Sequence, residues 1–445
     1  MKVLPGQHTC VTALAWGAPS PVLFRHCHRA EYLPGAPEIT LCVAIERGPD
    51  DAVRIAATDR PTDAWLEGEH GDADVEQFAR HFGVPVVELH RPLALAPVVV
   101  PKPWGREYWY TGIEARGQSG VAGEGGRMPL PWLLSVAGEA VLGNAALSLL
   151  KILDPLPDPG YGDLYFELHE TKQEVYVVTG IDAESWPGGV GAIRFGFDPT
   201  IRAAHGSEAA FRAAYLASVE NYREIRQRID TLQDRWRNSE GLGSDAPVPA
   251  AVLRRWHAAL APGLRLAERE ARAAMERFTH LRPLRVGDVV RVPPLLPHAL
   301  QHGVRTVEFQ TPVYERRILS FAQKVLTQAH WDTREAVARM LLEPPIAEDS
   351  PARATGPGAR CERIAEFDHC EVQRMRLEPN AEGGVDGDGY LLAMVVAGKV
   401  AFDSRICGPE SAVLIPAECR RRELRNVGAG VATVLISRPR RGGGT

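Results

Sequence analysis

The chain reads as mainly β with an inserted α-helical segment. Three observations carry that reading: short β-prone runs set between Gly and Pro in the first half, a switch to three- and four-residue apolar spacing over about residues 201–280, and strand signals again beyond it. At 445 residues the chain exceeds a single core, since domains usually hold about 100–200 residues, so several packed units are expected.

Residues 1–98 read as a small α/β unit of unassigned role, with β-prone runs at Ile39–Ile45 and Val53–Ala57 and a helix around Asp74–Phe82 ended by Gly83. The triplet His26-Cys27-His28 offers metal donors. Consecutive residues of an extended segment point to alternating faces, however, and no second ligand pair stands at a suitable spacing, so surface placement is expected. From Pro101 to Phe197, strands such as Tyr165–Leu168, Glu174–Thr179 and Ala192–Phe197 predict a barrel or sandwich. Phe211, Tyr215, Tyr222, Ile225, Ile229, Leu232 and Trp236 then recur at helical spacing, as do Leu253, Trp256, Leu260, Leu264, Ala267, Ala271 and Phe278. They predict two long helices joined by Asn238–Pro249, with the arginines on a solvated outer face. Strand signals resume at Gly287–Val292 and Val304–Phe309, a helix follows at Thr333–Leu342, and the Pro-, Ala- and Gly-rich stretch Glu348–Arg360 reads as a linker. The β-rich Cys361–Arg438 forms the last unit, followed by a basic, glycine-rich tail. The expected divisions are therefore 1–98, a β domain of 99–200 and 281–345, the helical insertion 201–280, a linker 346–360 and a second β domain 361–445.

Charge removes broad classes of partner. With 51 Lys+Arg against 56 Asp+Glu, a formal charge of −5, the chain carries no global field for nucleic acid or anionic lipid. No run reaches the roughly 18 unbroken apolar residues of a membrane span, and Pro5 and His8 interrupt any signal-like segment near the apolar patch Val11–Ala18. Seven cysteines without a CxxC pair suit reduced thiols and a cytoplasmic setting. A monomer or small homo-oligomer with a small-molecule partner is expected.

The chemistry concentrates in Gly162-x4-Glu167-Leu168-His169-x4-Glu174-x5-Gly180 and in Gly287-x5-Pro293-x4-His298. Residues two apart in a strand share a face, so Glu167 and His169 point into one cavity, and Glu174 returns from the neighbouring strand after a short turn. A proline-rich turn can bring His298 to the same place. Two histidines and two carboxylates make a four-ligand N/O metal site with room for water or substrate.

These two segments resemble the signature motifs of the cupin superfamily, in which an HxH pair, a following Glu and a distant His bind one divalent metal. Glu167 replaces the first His, and Leu295 stands where the second motif usually has Gly. The resemblance sharpens to the type I phosphomannose isomerases. Pro101-Lys102-Pro103-Trp104-Gly105 resembles that family's KPWG-type segment. Lys172-Gln173-Glu174-Val175-Tyr176 is similar to its KTExW stretch, and Pro293-x4-His298-Ala299 with Glu308-Phe309-Gln310 to its PxGxxHA…EIQ segment. Arg317 matches the family's active-site Arg with one residue deleted. The motifs cover about residues 101–320, and the helical insertion falls where larger members carry one.

The resemblance implies a double cupin with a helical hairpin inserted in the first cupin and an extra N-terminal α/β unit. It implies one divalent metal, zinc first with Mn, Fe or Co as alternatives, held by Glu167, His169, Glu174 and His298. Lys172, Glu308 and Arg317 become the catalytic residues of an aldose–ketose isomerase working through a cis-enediolate, with mannose 6-phosphate to fructose 6-phosphate as the reference reaction. Three departures bear on this. The family's Ser, which helps hold the sugar phosphate, is Tyr165; its Gln ligand is Glu167; and the Pro after its His is Glu170. Two ionised glutamates bring the charge of a divalent site to zero, one unit below the Gln form, and predict a weaker Lewis acid in a shell friendlier to Mn²⁺ or Fe²⁺. A cupin oxygenase, another metal-dependent enzyme on a non-phosphorylated substrate, and a non-catalytic sugar-binding protein are the alternatives. In the last unit, Ala393–Phe402 and Val413–Ala417 resemble a cupin strand and turn, but Arg420, Arg421 and Arg422 follow Pro416 where a ligand His would stand. A cupin without metal is expected there, its arginines serving packing or an anion.

Overall fold

Strands form where apolar residues alternate between Gly/Pro turns, and helices form over the three- and four-residue spacing, giving a mainly β protein with an α insertion. The computed structural model describes residues 1–7, 21–48, 52–61, 65, 73–243, 246–345, 351–385, 387, 389–419 and 422–440. Two compact units result: Met1–Val98 with Trp109–Lys151 and Asp349–Thr445, and Val99–Tyr108 with Ile152–Glu348.

The first unit corrects the expected divisions. Its nine-stranded sheet runs Gly126–Pro129, Gly120–Gly123, Leu93–Ala96, Ala412–Ile415, Leu391–Ala397, Ala432–Pro439, Cys370–Leu377, Ala359–Glu366 and Arg353–Gly356. Segments expected in the N-terminal unit and in the first β domain thus supply strands to the C-terminal sheet. The long-range pairing of Leu93 with Leu414 has no local sequence signature. The expected linker carries the strand Arg353–Gly356 and the start of Ala359–Glu366, while 346–350 lie outside the described residues. Arg420 and Arg421 also lie outside them. Arg422 donates to the carbonyls of Cys419, Gly387 and Ala417 at 3.1, 2.5 and 2.9 Å, so it closes a turn rather than offering an anion site.

In the same unit, Lys2–Gln7, Val22–Arg29, Glu38–Arg47, Val53–Thr58 and Val87–Glu88 form a five-stranded sheet beside the helix Val75–Phe82. That helix begins with a reciprocal cap. Asp74 accepts from the Gln77 N–H and the Gln77 side chain accepts from the Asp74 N–H, at 2.7 and 3.1 Å. It ends at Gly83, which takes the left-handed φ of 62° that a C-terminal cap requires. His26 bonds Ser135 and His28 bonds Tyr32, so the two imidazoles of this strand face have separate partners, and His28 is buried rather than at the surface as expected. The six described cysteines, from Cys27 to Cys419, are unbridged.

The second unit holds two stacked sheets. One contains Val289–Val292, Glu174–Ile181, Val304–Gln310, Leu149–Pro155, Gly105–Trp109 and Val98–Lys102; the other contains Thr279–Leu284, Gly191–Phe197, His298–Leu300, Phe166–Leu168 and Arg317–Ser320. Trp104, Tyr165, Tyr176, Phe195, Leu296 and Ile318 pack between them. The outer face of the second sheet, with Phe166, Leu168, Phe197, Ala299 and Leu319, packs against Phe211, Tyr215, Tyr222, Phe278 and Val337 of the helices.

The insertion differs from two plain helices. Its first helix, Glu208–Ser239, is continuous, but the second divides into Ala250–Ala259 and Pro262–Glu276 because the residue before Pro262 is driven to extended backbone, with Ala261 at ψ 137°. Beyond Ile229 the buried stripe continues through Gln233 and Arg237 rather than Leu232 and Trp236. Arg226 is buried as well, donating to Asp230, the Ala322 carbonyl and Gln233 at 2.9, 3.0 and 3.2 Å, so the arginines do not all face water. The last predicted helix is shorter than expected, Thr333–Arg339.

Gly162 secures the turn that enters the site-bearing strand. A Cβ there would lie 1.8 Å from the Leu156 carbonyl oxygen and 2.8 Å from His302 Cβ. Gly162→Ala is therefore expected to lower stability by about 3 kcal/mol, at the upper end of overpacking costs, measurable as a shifted urea midpoint.

Candidate metal centre

Strand pleating sets the site. Phe166 and Leu168 point outward into the helical layer, so Glu167 and His169 turn toward the sandwich interior. His298 sits directly across from Glu167 in the antiparallel register. Glu174 opens its own strand opposite Val292 on one side and Gln310 on the other. The Pro293–His298 turn is tied down by the Leu295 N–H, which donates to the His169 carbonyl at 2.6 Å. Leu295 holds the left-handed conformation, φ 66°, so the geometry that glycine would supply persists with a side chain at a cost of about 1–2 kcal/mol.

Both imidazoles are aimed by the backbone. His169 Nδ1 lies 2.8 Å from the Glu315 carbonyl and His298 Nδ1 lies 3.0 Å from the Leu296 carbonyl. A carbonyl only accepts, so each Nδ1 carries the proton and each Nε2 presents a lone pair. Glu174 Oε2 is 3.4 Å from His169 Nε2 and 3.3 Å from His298 Nε2. Ligands bound about 2.0–2.1 Å from a tetrahedral ion stand about 3.3 Å apart, so these spacings fit a metal. All three side chains are buried, and the buried His169 Nε2 makes no hydrogen bond, as does Glu167 Oε2. A buried polar atom left in this way calls for an ion or water.

Of the four expected ligands, three converge. Among the described residues the clustered donors are His169, Glu174 and His298. Glu167 stands beside them, its Oε1 3.9 Å from His169 Nε2 and its Oε2 3.7 Å from Arg316 Nη1. Burial raises the proton affinity of Glu174, but the Lys172 ammonium overcomes this and holds its carboxyl well below the usual carboxylate range. Burial, aided by Lys172, lowers His169 and keeps it neutral, the form a metal needs. Tyr176 donates to Glu174 Oε2 at 2.8 Å, and burial followed by the Glu174 charge pushes its phenol well above the ordinary range.

The catalytic assignments divide. Lys172 is buried in an ion pair with Glu174, and buried Glu308 lies across from Tyr176 in register, two residues from Gln310 opposite Glu174. Arg317 is a correction. It points to the other face, pairing with Glu170 at 3.0 Å and lying 3.9 and 3.8 Å from Asp332 and Glu335. Arg316 faces the site instead, its guanidinium 4.4 Å over the Tyr165 ring and its Nη2 2.5 Å from Thr327 Oγ1. Ile318 packs in the sandwich core and Leu319 against the helices, so alternation places Arg316, not Arg317, on the inner face, a phase that two adjacent apolar residues leave open in the sequence. Tyr165 stacks on Phe321 at 4.1 Å, and burial, opposed by Arg316, pushes its hydroxyl up to about 12. The charges of Glu107 and Glu167 also reach that hydroxyl, and Glu107 pairs with Lys102 at 3.3 Å. The KPWG-like segment therefore borders the same site. With Lys172 and Arg316 beside the two carboxylates, the local charge is less negative than the ligands alone imply, which offsets the expected loss of Lewis acidity.

No family model and no curated protein sequence matches the chain. Its structure is similar to mannose 6-phosphate isomerase from Bacillus subtilis at a TM-score of 0.52 and 14% identity, over 78% of this chain and 99% of that one. By fold, the chain is like the phosphomannose isomerases. A mutant phosphomannose isomerase from Salmonella typhimurium matches at 0.50 and 14% identity, over 79% and 100% of the two chains. A zinc-bound mannose 6-phosphate isomerase also matches at 0.50 and 14%, over 78% and 99%.

Glu315 had no signature in the sequence because its part is played largely by the main chain. Its carbonyl orients His169, while its carboxylate accepts from the Thr171 and Lys172 N–H groups at 2.8 and 3.0 Å. Zinc at 100 times its Kd is expected to stabilise the protein by about 2.7 kcal/mol, read as a rise in Tm. Glu315→Ala keeps the carbonyl that orients His169 and removes only the carboxylate that holds the Thr171–Lys172 turn, so it should weaken zinc binding by no more than about tenfold in competition with a chromophoric chelator.

Proposed function

We propose that the protein is a metal-dependent aldose–ketose isomerase. The observation that carries this reading is the convergence of two backbone-aimed imidazoles and Glu174 beside buried Glu308, Lys172 and Arg316. The phosphomannose isomerase fold and the motif resemblance support it. Zinc is the metal the resemblance favours. Unbridged cysteines and the want of any described helix long and apolar enough to cross a membrane accord with a cytoplasmic enzyme acting on a small carbohydrate.

Isomerisation moves a proton between C1 and C2 through an enediolate, so it needs a base, a cation near the developing oxyanion and an oriented substrate. Glu308 is the base, taking the proton from one carbon and returning it to the other. Lys172 and Arg316 supply positive charge where the oxyanion grows. Tyr176, by donating to Glu174, fixes the carboxylate that faces both imidazoles. A divalent ion held by His169, Glu174 and His298, with Glu167 alongside, would polarise the carbonyl and orient both oxygens.

A second reading rests on the same cluster. Two histidines and one carboxylate form the ligand set of non-haem Fe(II) oxygenases. Iron in the purified protein with O₂ uptake would favour it over the isomerase.

Protein reconstituted with Zn²⁺, Mn²⁺, Co²⁺ or Fe²⁺ is expected to interconvert an aldose with its ketose, with mannose and mannose 6-phosphate as first substrates; no turnover with any metal or either sugar removes the proposal. Arg316→Ala should lower kcat/KM about 100-fold, equivalent to about 2.7 kcal/mol of transition-state stabilisation. Arg317→Ala should leave kcat/KM within about threefold and cost only about 1 kcal/mol of stability.

A further inference from the structure

We infer that the site takes a neutral, polyhydroxylated sugar rather than a sugar phosphate. The inference rests on the isomerase reading for the reaction, but its ligand class follows from the charges alone. Anions are bound by arginine forks, lysine ammonium groups and runs of backbone N–H. The described residues around this centre supply four such devices, and a carboxylate of the chain occupies each. Lys102 Nζ is 3.3 Å from Glu107 Oε1, with both side chains about nine-tenths buried. Lys172 pairs with Glu174. Arg316 is ion-paired with Glu167 at 3.7 Å, beyond hydrogen-bond distance, donates to Thr327 at 2.5 Å, and lays its face on Tyr165. The adjacent N–H groups of Thr171 and Lys172 both close on Glu315 Oε1.

The count agrees. Lys102, Lys172 and Arg316 face Glu107, Glu167, Glu174, Glu308 and Glu315, a net charge of −2 that a divalent ion raises only to 0. A phosphate monoester brings about −1.5 to −2 at neutral pH. To bind it, a cation would leave its own carboxylate buried and uncompensated. Cations just outside are engaged too: Arg317 and Arg339 with Glu170, and Lys324 with Asp234. Sugar hydroxyls make no such demand. They donate to carboxylates, and Glu107 and Glu308 are buried acceptors at the walls.

The test uses unreactive polyols, so binding is read apart from turnover. Calorimetric titration of the zinc-loaded full chain with D-mannitol and with mannitol 1-phosphate is expected to show the neutral polyol bound at least about tenfold more tightly. In turnover, kcat/KM for mannose should exceed that for mannose 6-phosphate about 100-fold. Glu107→Gln releases Lys102 and should narrow the binding preference about tenfold, a change that simple loss of packing would not direct toward phosphate. Tighter binding of the phosphorylated polyol, or binding of neither, overturns the inference. Preferred binding of mannitol without turnover of any sugar leaves the inference standing and removes the isomerase. Efficient turnover of mannose 6-phosphate does the reverse.

Discussion

The Glu315 carbonyl accepts from His169 Nδ1 while its carboxylate gathers the N–H groups of the next turn, so one residue sets the imidazole and the lysine together. Without the first bond the ring loses its tautomer and its aim; without the second the turn carrying Lys172 is free to move the cation off Glu174. The geometry of the His169, Glu174 and His298 cluster depends on this arrangement. The other imidazole is treated alike by the Leu296 carbonyl, and the Leu295 N–H ties the two ligand segments to each other.

The layers around the centre bury its imidazoles and Glu174. The sandwich core supplies one wall, and the sheet that carries Phe166–Leu168 and His298–Leu300 is pressed on its outer side by aromatic residues of the helices. Buried charge in the insertion is satisfied locally: Arg226 fills its donors with Asp230, Gln233 and a carbonyl, and Tyr222 donates to Glu268 at 3.0 Å. Such a polar layer fixes the helix in one position against the sheet, because a shifted helix would strand these groups without partners.

Much of this was legible in the sequence because it is local. Alternation placed Glu167 with His169, spacing returned Glu174, and helical periodicity found the insertion through Phe211, Tyr215 and Tyr222. What escaped has physical causes. Glu315 works largely through a carbonyl, which every residue has. Arg316 and Arg317 are alike in composition, and only the strand phase set by Ile318 separates them. Glu167 satisfies the ligand spacing yet turns partly to Arg316, a choice made by charge across the sheet. The pairing of Leu93–Ala96 with Ala412–Ile415 joins distant segments that carry no shared pattern.

That last pairing constrains how the chain is made. Ala94 and Val413 are register partners 319 residues apart, so at 5–20 residues per second the ribosome needs roughly 16–64 s to deliver the second after the first. Meanwhile Leu93–Ala96 already has a nearby partner in Gly120–Gly123, which folds back on Gly126–Pro129. The nascent chain therefore carries a small meander whose open edge stays unpaired until Ala412–Ile415 emerges. An edge of that kind invites association with other nascent chains until Ala412–Ile415 is available to pair with it.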